Sequence, residues 1–261
     1  MNMPAKHDVP GVRDSSPHSE YNAVKATYDR EAATYDEERF TGAGGRLSAE
    51  LDEALVLQTL APLKGTTVLD VPTGTGRTSL ALARAGARVY ALDLSQEMLR
   101  RARSKIEAEG DLRVEFVQGD ATTMAFPEAF FDRISCLRLF HLVPRSRRPA
   151  FVREFRRVLR PGGLLIAEFP RRFHALGFFW LARKLKGRPK NYLSWQERHR
   201  LFDGFDLVRV FGGYFPLMRL VGNLHQRAAM RLSLAIARSG FRVLTRQTFL
   251  VLRKKDLATR G

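Results

Sequence analysis

A single cysteine, Cys136, stands in 261 residues. That excludes an intramolecular disulfide and a zinc cluster built on several thiolates, and it fits a reducing, cytoplasmic setting. None of the histidines falls in an H-x-x-x-H or comparable ligand spacing, so no metal is expected. No stretch approaches the roughly 20 consecutive apolar residues of a membrane span, and the first residues lack the apolar run of a secretory leader. Acidic residues are scarce in the back half. Over positions 1–132 there are 15 Lys and Arg against 21 Asp and Glu; over 133–190 the counts are 16 and 2, and over 191–261 they are 13 and 4. The formal charge of +17 is therefore concentrated behind a mildly acidic front half. Such asymmetry points to an anionic partner or to a solvated basic surface, and it speaks to association rather than to fold.

What is present alternates. Residues 1–19 mix Pro, Ser, His and Asp without periodicity and are expected to be a mobile tail. Tyr21, Tyr28 and Tyr35 recur at seven-residue spacing through helical pieces. TGAGG at 41–45 is expected to be a flexible joint, and Leu47–Leu63 to be an amphipathic helix with Leu51 and Leu55 inward. Strands are expected at 67–71, 88–93, 113–118, 132–137 and 164–169. Helices are expected at 78–84, from the Ser95 cap to about 109, and at 147–160, where Pro161-Gly162-Gly163 stops the chain. This pattern predicts an α/β fold, a doubly wound and mostly parallel sheet covered on both faces. Beyond it come a basic aromatic helix over Phe173–Leu185, a capping box at Ser194–Glu197, strand-like Phe205–Phe211, a helix over 224–239 and a final strand at Thr248–Arg253.

The strongest local signal is Val68-Leu69-Asp70-Val71-Pro72-Thr73-Gly74-Thr75-Gly76-Arg77. Glycines at the carboxyl end of a first strand let the backbone approach a ligand, and the helix start that follows offers unpaired N–H groups. Asp93 ends the second strand at the spacing of a carboxylate that accepts from ribose hydroxyls. Asp120 follows the third strand in Gly119-Asp120-Ala121. Three acids at successive strand ends line one crevice. Gly74-x-Gly76-x-x-Ser79 also approaches a dinucleotide fingerprint, but Asp70 ahead of the glycines and the Asp120 motif oppose that reading. A phosphate-binding P-loop fails, since Arg77 stands where Lys is required.

VLDVPTGTGR, YALDLSQEML, FVQGDATTMAFPEAFFDRISC and REFRRVLRPGGLLIAEF resemble, in order and spacing, the successive motifs of the class I S-adenosylmethionine-dependent methyltransferase family. The match covers about residues 66 to 170. The resemblance implies a seven-stranded Rossmann-like sheet with an N-terminal helical lid and a C-terminal helical insertion, and S-adenosyl-L-methionine as cofactor. It implies that Asp70, Gly74 and Gly76 hold the methionine end and that Asp93 takes the ribose hydroxyls. Leu94 and Met98 would pack on adenine, with Asp120 and Ala121 at its amino group and Leu137 bordering the methyl. Pro72 departs from the family's usual Gly, which implies an altered loop rather than a lost site.

In-line methyl transfer needs alignment and water exclusion more than a catalytic signature. His141, just after the fourth strand, is the candidate general base, with packing at a helix start as the alternative. Tyr28 is a candidate for reaching over the cleft from the lid. The expected organisation is a tail at 1–19, a helical lid at 20–63, a cofactor-binding core at 64–170, a basic substrate cap at 171–246 containing the strand near 205–211, and a final strand and tail at 247–261. The expected acceptor is a small or lipid-like molecule, with peripheral contact at an acidic membrane surface through PRRFHALGFFWLARKLKGRPK. An RNA-directed methyltransferase and a non-catalytic cofactor-binding scaffold are the alternatives. Nucleic acid is disfavoured because no RNA-binding module and no N-P-P-Y-like motif is present.

Overall fold

The computed structural model describes residues 17–170, 195–215, 226–240, 245 and 247–256. Five strands follow the expected order: β1 Thr67–Asp70, β2 Arg88–Asp93, β3 Val114–Gln118, β4 Phe131–Cys136 and β5 Leu159–Pro170. β6, Phe205–Gly212, and β7, Gln247–Lys254, complete a seven-stranded sheet in the order β3-β2-β1-β4-β5-β7-β6. β7 pairs antiparallel with both β5 and β6, whereas every other pairing is parallel. A reversal of strand order beside β1 opens a crevice at the carboxyl ends of the strands, where doubly wound sheets bind ligands.

Before the sheet come α1 Pro17–Glu31, α2 Tyr35–Phe40 and α3 Ala43–Leu60; within it come α4 Arg77–Arg84, α5 Gln96–Glu107 and α6 Arg148–Val158. α7 Trp195–Leu201 and α8 Gln226–Arg238 flank the last strands. Apolar layers form on both faces of the sheet. Phe131, Phe151, Phe155 and Leu165 belong to one, and Leu51, Leu55, Leu82 and Phe249 to the other. Burial of this kind contributes about 25 cal/mol per Å² of apolar surface, and it explains why the central strands read as near-continuous apolar runs.

Several boundaries differ from the sequence reading. Pro17–Ser19, expected in the tail, open α1, and residues 1–16 lie outside the described residues. The expected joint at 41–45 shrinks to Thr41-Gly42, because α3 begins at Ala43. Gly45 is there for contact: a Cβ on it would stand 2.3 Å from the Arg39 carbonyl oxygen, so it lets α2 and α3 approach. α3 also ends at Leu60 rather than Leu63, one residue before the Ala61-Pro62 step. β5 starts at Leu159, five residues before the expected Leu164. Phe131 pairs with Leu159 and, after a register shift, Arg133 with Leu164, so Pro161-Gly162-Gly163 forms a bulge inside the strand. The expected helix over Phe173–Leu185 and the capping residue Ser194 lie outside the described residues.

Candidate active site

β1 delivers Asp70 to the floor of the crevice, where it is buried. Its Oδ2 accepts from Thr73 Oγ1 at 3.1 Å and from Ser79 Oγ at 2.7 Å. The carboxylate thus ties the turn after β1 to the first turn of α4. Burial pushes the Asp70 carboxyl up to about 6, against the pull of the Ser79 and Thr73 hydroxyls. The turn is shaped by Gly74 at φ +53° and Gly76 at φ +80°. A Cβ on Gly74 would meet nothing within 4 Å, whereas one on Gly76 would stand 2.7 Å from Ala102 Cβ. Gly74 therefore leaves open space for a ligand, and Gly76 lets α4 pack on α5. Thr73 N–H donates to the Leu92 carbonyl at 2.9 Å and Gly76 N–H to that of Thr73 at 3.0 Å. The turn is complete with Pro72 in it, its bond to Val71 being cis.

Asp93, at the end of β2, accepts from Gly74 N–H on Oδ2 at 2.8 Å and from Ser95 N–H on Oδ1 at 2.9 Å. Its carboxyl, too, is pushed up to about 6 by burial, opposed by these backbone donors. Each carboxylate oxygen has a second lone pair, so both can still accept from a diol. Ser95 caps α5 by accepting from Met98 N–H at 3.1 Å. Asp120, after β3, is held by Thr122 N–H and Oγ1, both at 2.8 Å from Oδ1.

These pieces wall a cavity of about 440 Å³. Of the residues expected from sequence, Tyr28, Gly74, Asp93, Leu94, Met98, Asp120, Ala121 and Leu137 line it. Asp70 lies beneath the turn and Gly76 behind it; neither reaches the wall. His141 is exposed and does not line the cavity. The lid meets this wall through two carboxylates. Asp29 Oδ1 accepts from Ser95 Oγ at 2.5 Å, and Asp36 bridges Thr75 Oγ1 and Lys105 Nζ, both at 2.6 Å. Tyr28 and Tyr35 pack with ring centroids 6.2 Å apart, and burial raises the Tyr28 hydroxyl well above its ordinary range.

The far end of the cavity holds charges that the sequence did not disclose. Arg138, at φ +58° just past β4, donates through Nη2 to Asp52 Oδ2 of α3 at 2.6 Å, and through its N–H to Glu168 Oε2 of β5 at 3.0 Å. The guanidinium groups of Arg77 and Arg138 stand 4.2 Å and 5.0 Å from the Phe40 ring centroid. Burial raises Asp52 despite the Arg138 cation. Glu168 is pushed up to about 7 by burial and by the Asp52 charge. Arg138 is raised because Asp52 and Glu168 outweigh the effect of burial. No local motif marks these residues, since four separate elements supply them. Leu139, Leu142 and Val143 continue the wall, and buried Arg148 fastens that loop by donating to the Phe140 and Val143 carbonyls at 3.0 and 3.3 Å. Among the described residues, no group of three His, Cys, Asp or Glu is placed to hold a metal ion.

Residues 68–163 match the family described as methyltransferase domain. A ubiquinone/menaquinone biosynthesis C-methyltransferase, UbiE, from Bordetella avium (strain 197N) is 32% identical over 186 residues, covering 62% of this chain and 71% of that protein. The chain belongs to the class I S-adenosylmethionine-dependent methyltransferase family. Another family member, a demethylmenaquinone methyltransferase of Clavibacter sepedonicus, is 41% identical over 111 residues, 42% of this chain. The chain spans only 44% of that relative's length. Two solved structures share the family fold. Magnesium protoporphyrin IX methyltransferase from Synechocystis PCC 6803, with bound S-adenosylhomocysteine, superposes at TM-score 0.62 and 17% identity over 90% of this chain and all of that one. The cyclase SpnF superposes at 0.65 and 19% over 90% and 96%. Likeness at that level concerns the fold alone. The family's cofactor, S-adenosylmethionine, fits what the crevice offers: open space over Gly74, acids after β2 and β3, and apolar Leu94 and Met98 between them.

Proposed function

We propose that this chain transfers the methyl group of S-adenosylmethionine to a small, lipid-like acceptor by in-line displacement. One observation carries the reading: a single cavity joins the acid-tipped strand ends to an apolar wall at Leu139, Leu142, Val143 and Phe151. In this reading Asp93 holds the ribose hydroxyls, Leu94 and Met98 flank the adenine, and Asp120 and Ala121 face its amino group. Gly74 leaves room for the methionine end and Leu137 borders the methyl. The cofactor supplies an activated methyl group; the chain's own residues align the acceptor and keep water out. Helices α1 and α2 act as the lid that does the second of these, with Tyr28 over the cleft.

The relatives are named for demethylmenaquinone and for ubiquinone/menaquinone biosynthesis, which makes a reduced quinone ring the first acceptor to try. No helix among the described residues is long and apolar enough to cross a membrane, and the apolar wall is the feature that would admit a greasy ring. The test is transfer of isotopic label from methyl-labelled S-adenosylmethionine into the organic phase, with reduced naphthoquinones as acceptors. Calorimetric titrations with S-adenosylmethionine, NAD and NADP run beside it. Cofactor binding with label in the organic phase is expected. Preference for a nicotinamide, or cofactor binding without transfer to any lipid-soluble acceptor, would overturn the reading.

A further inference from the structure

Asp52 is a charged residue on the apolar face of a helix. Its neighbours on that face, Leu51, Leu55 and Val56, are all buried in the core, and Asp52 itself is only 2% exposed. One of its oxygens is used, by Arg138. The other, Oδ1, has neither solvent contact nor a hydrogen-bond partner among the described residues. A carboxylate oxygen left in this state costs on the order of 1–3 kcal/mol or more. Asp52 is also part of the cavity wall, together with Arg77 and Arg138. A hydrogen-bond donor entering the cavity would relieve that cost.

We propose that Asp52 Oδ1 is the acceptor for a hydroxyl on an aromatic methyl acceptor, a phenol or an enol, and takes its proton as the methyl is transferred. The proposal rests on the methyl-transfer reading above. It selects among the donors a lipid-like acceptor can carry. An ammonium group is disfavoured, because Arg77 and Arg138 set two fixed positive charges beside the same carboxylate. A hydroxyl enters neutral, and once its proton has left, the remaining negative oxygen is stabilised by those same guanidinium groups. The O–H proton moves to Oδ1 and its electron pair stays on the acceptor. The acceptor's nucleophilic atom bonds the methyl carbon as the carbon–sulfur bond breaks with its pair left on sulfur. Arg138 keeps Oδ2 occupied, so that Oδ1 faces the task alone. Burial, which raises the Asp52 carboxyl, makes it a stronger proton acceptor than an exposed carboxylate.

The experiment is a fluorescence titration of the full chain, saturated with S-adenosylhomocysteine, using 1-naphthol and 1-methoxynaphthalene as probes. The two differ only in the hydroxyl hydrogen. Wild-type protein is expected to bind 1-naphthol about tenfold more tightly, as for one buried hydrogen bond to a charged acceptor. Asp52→Asn is expected to bring the two affinities within about twofold, because the amide oxygen turns to Arg138 and presents an NH₂ to the ligand. Calorimetry should show unchanged S-adenosylhomocysteine affinity in that variant. A wild-type protein without preference for 1-naphthol overturns the proposal, and that arm needs no variant to fold. An Asp52→Asn protein that keeps the preference overturns it too. Absence of S-adenosylhomocysteine binding by the wild type would instead bring down the methyltransferase reading beneath it.

Discussion

Arg138 and Asp52 lie 86 positions apart in the chain, and their side chains meet at 2.6 Å. The pair fastens α3 to the end of β4, so the helix that precedes the sheet becomes one wall of the cavity. Breaking it leaves the Asp52 carboxylate buried without its main cation. Arg138→Met is expected to destabilise the fold by about 3 kcal/mol, read as a lowered midpoint in urea denaturation. An unchanged midpoint would mean that the pair contributes nothing to stability.

Gly74 and Gly76 have the same sign of φ but different neighbours, which separates stability from binding. Gly76→Ala drives a methyl group against Ala102 in a left-handed backbone, and a loss of about 2 kcal/mol or more is expected. Gly74→Ala meets open space and costs only the backbone term, about 1 kcal/mol. Its new methyl stands over the cavity, so cofactor affinity should fall more than stability does. Thermal melts and calorimetry on the two variants would show the crossover, and equal effects on both readouts would remove it.

Burial lifts both Asp70 and Asp93 from the ordinary value of 3.8 to about 6. For stability the sign is the reverse of the usual salt-bridged carboxylate. Between about pH 4 and 6 the folded chain binds more protons than the unfolded one, so these two groups make the ligand-free protein lose stability as pH rises through that window. The loss levels off above about pH 6. Cofactor binding should run the other way, since an ionised Asp93 accepts hydroxyl hydrogen bonds on both oxygens. Affinity is expected to rise about tenfold from pH 5 to pH 7, and Asp93→Asn should flatten the profile. A flat wild-type profile would refute the assignment.

The lid contacts make a kinetic prediction. Asp36 joins α2 both to Thr75 in the cofactor turn and to Lys105 on α5. Asp36→Ala removes both contacts while touching no proposed cofactor group. S-adenosylhomocysteine should leave a few times faster, and amides of residues 35–40 should exchange faster. Stopped-flow displacement and hydrogen exchange measure the two, and unaltered dissociation would deny the lid this role.

Ser95 is shared between two tasks, capping Met98 N–H and donating to Asp29. Ser95→Ala is expected to lower stability by about 1 kcal/mol through the lost cap and to loosen α1 in hydrogen exchange. Asp29→Ala should loosen α1 while leaving the α5 cap in place. Identical stability losses in the two variants would contradict this division.

How much of this could be read from the chain depended on whether the chemistry was written locally. Asp93 and Asp120 were legible because each closes a strand with its own alternating pattern, and the Gly74–Gly76 turn because a glycine pair after a short apolar strand has few other uses. Asp52 was illegible: within a leucine-rich helix it looks like a solvated position, and only the approach of Arg138 from beyond β4 reveals a buried one. Glu168 and Arg77 were missed for the same reason, each being an unremarkable residue until four elements converge. Gly45 was misread as freedom when it provides contact. Pro161-Gly162-Gly163 was read as the start of a strand when it is a bulge within one.

β7 lies between β5 and β6 and hydrogen-bonds to both. During synthesis β5 and β6 therefore leave the ribosome as strands whose shared neighbour does not yet exist. Phe205–Gly212 must wait, exposed or loosely held, until Gln247–Lys254 arrives to bridge it to the parallel half. The cofactor crevice, built from β1 to β4, can take shape before that moment. A nascent chain arrested ahead of Gln247 would then present a nearly finished ligand site on an unfinished sheet, and the cofactor itself could act as an early folding aid.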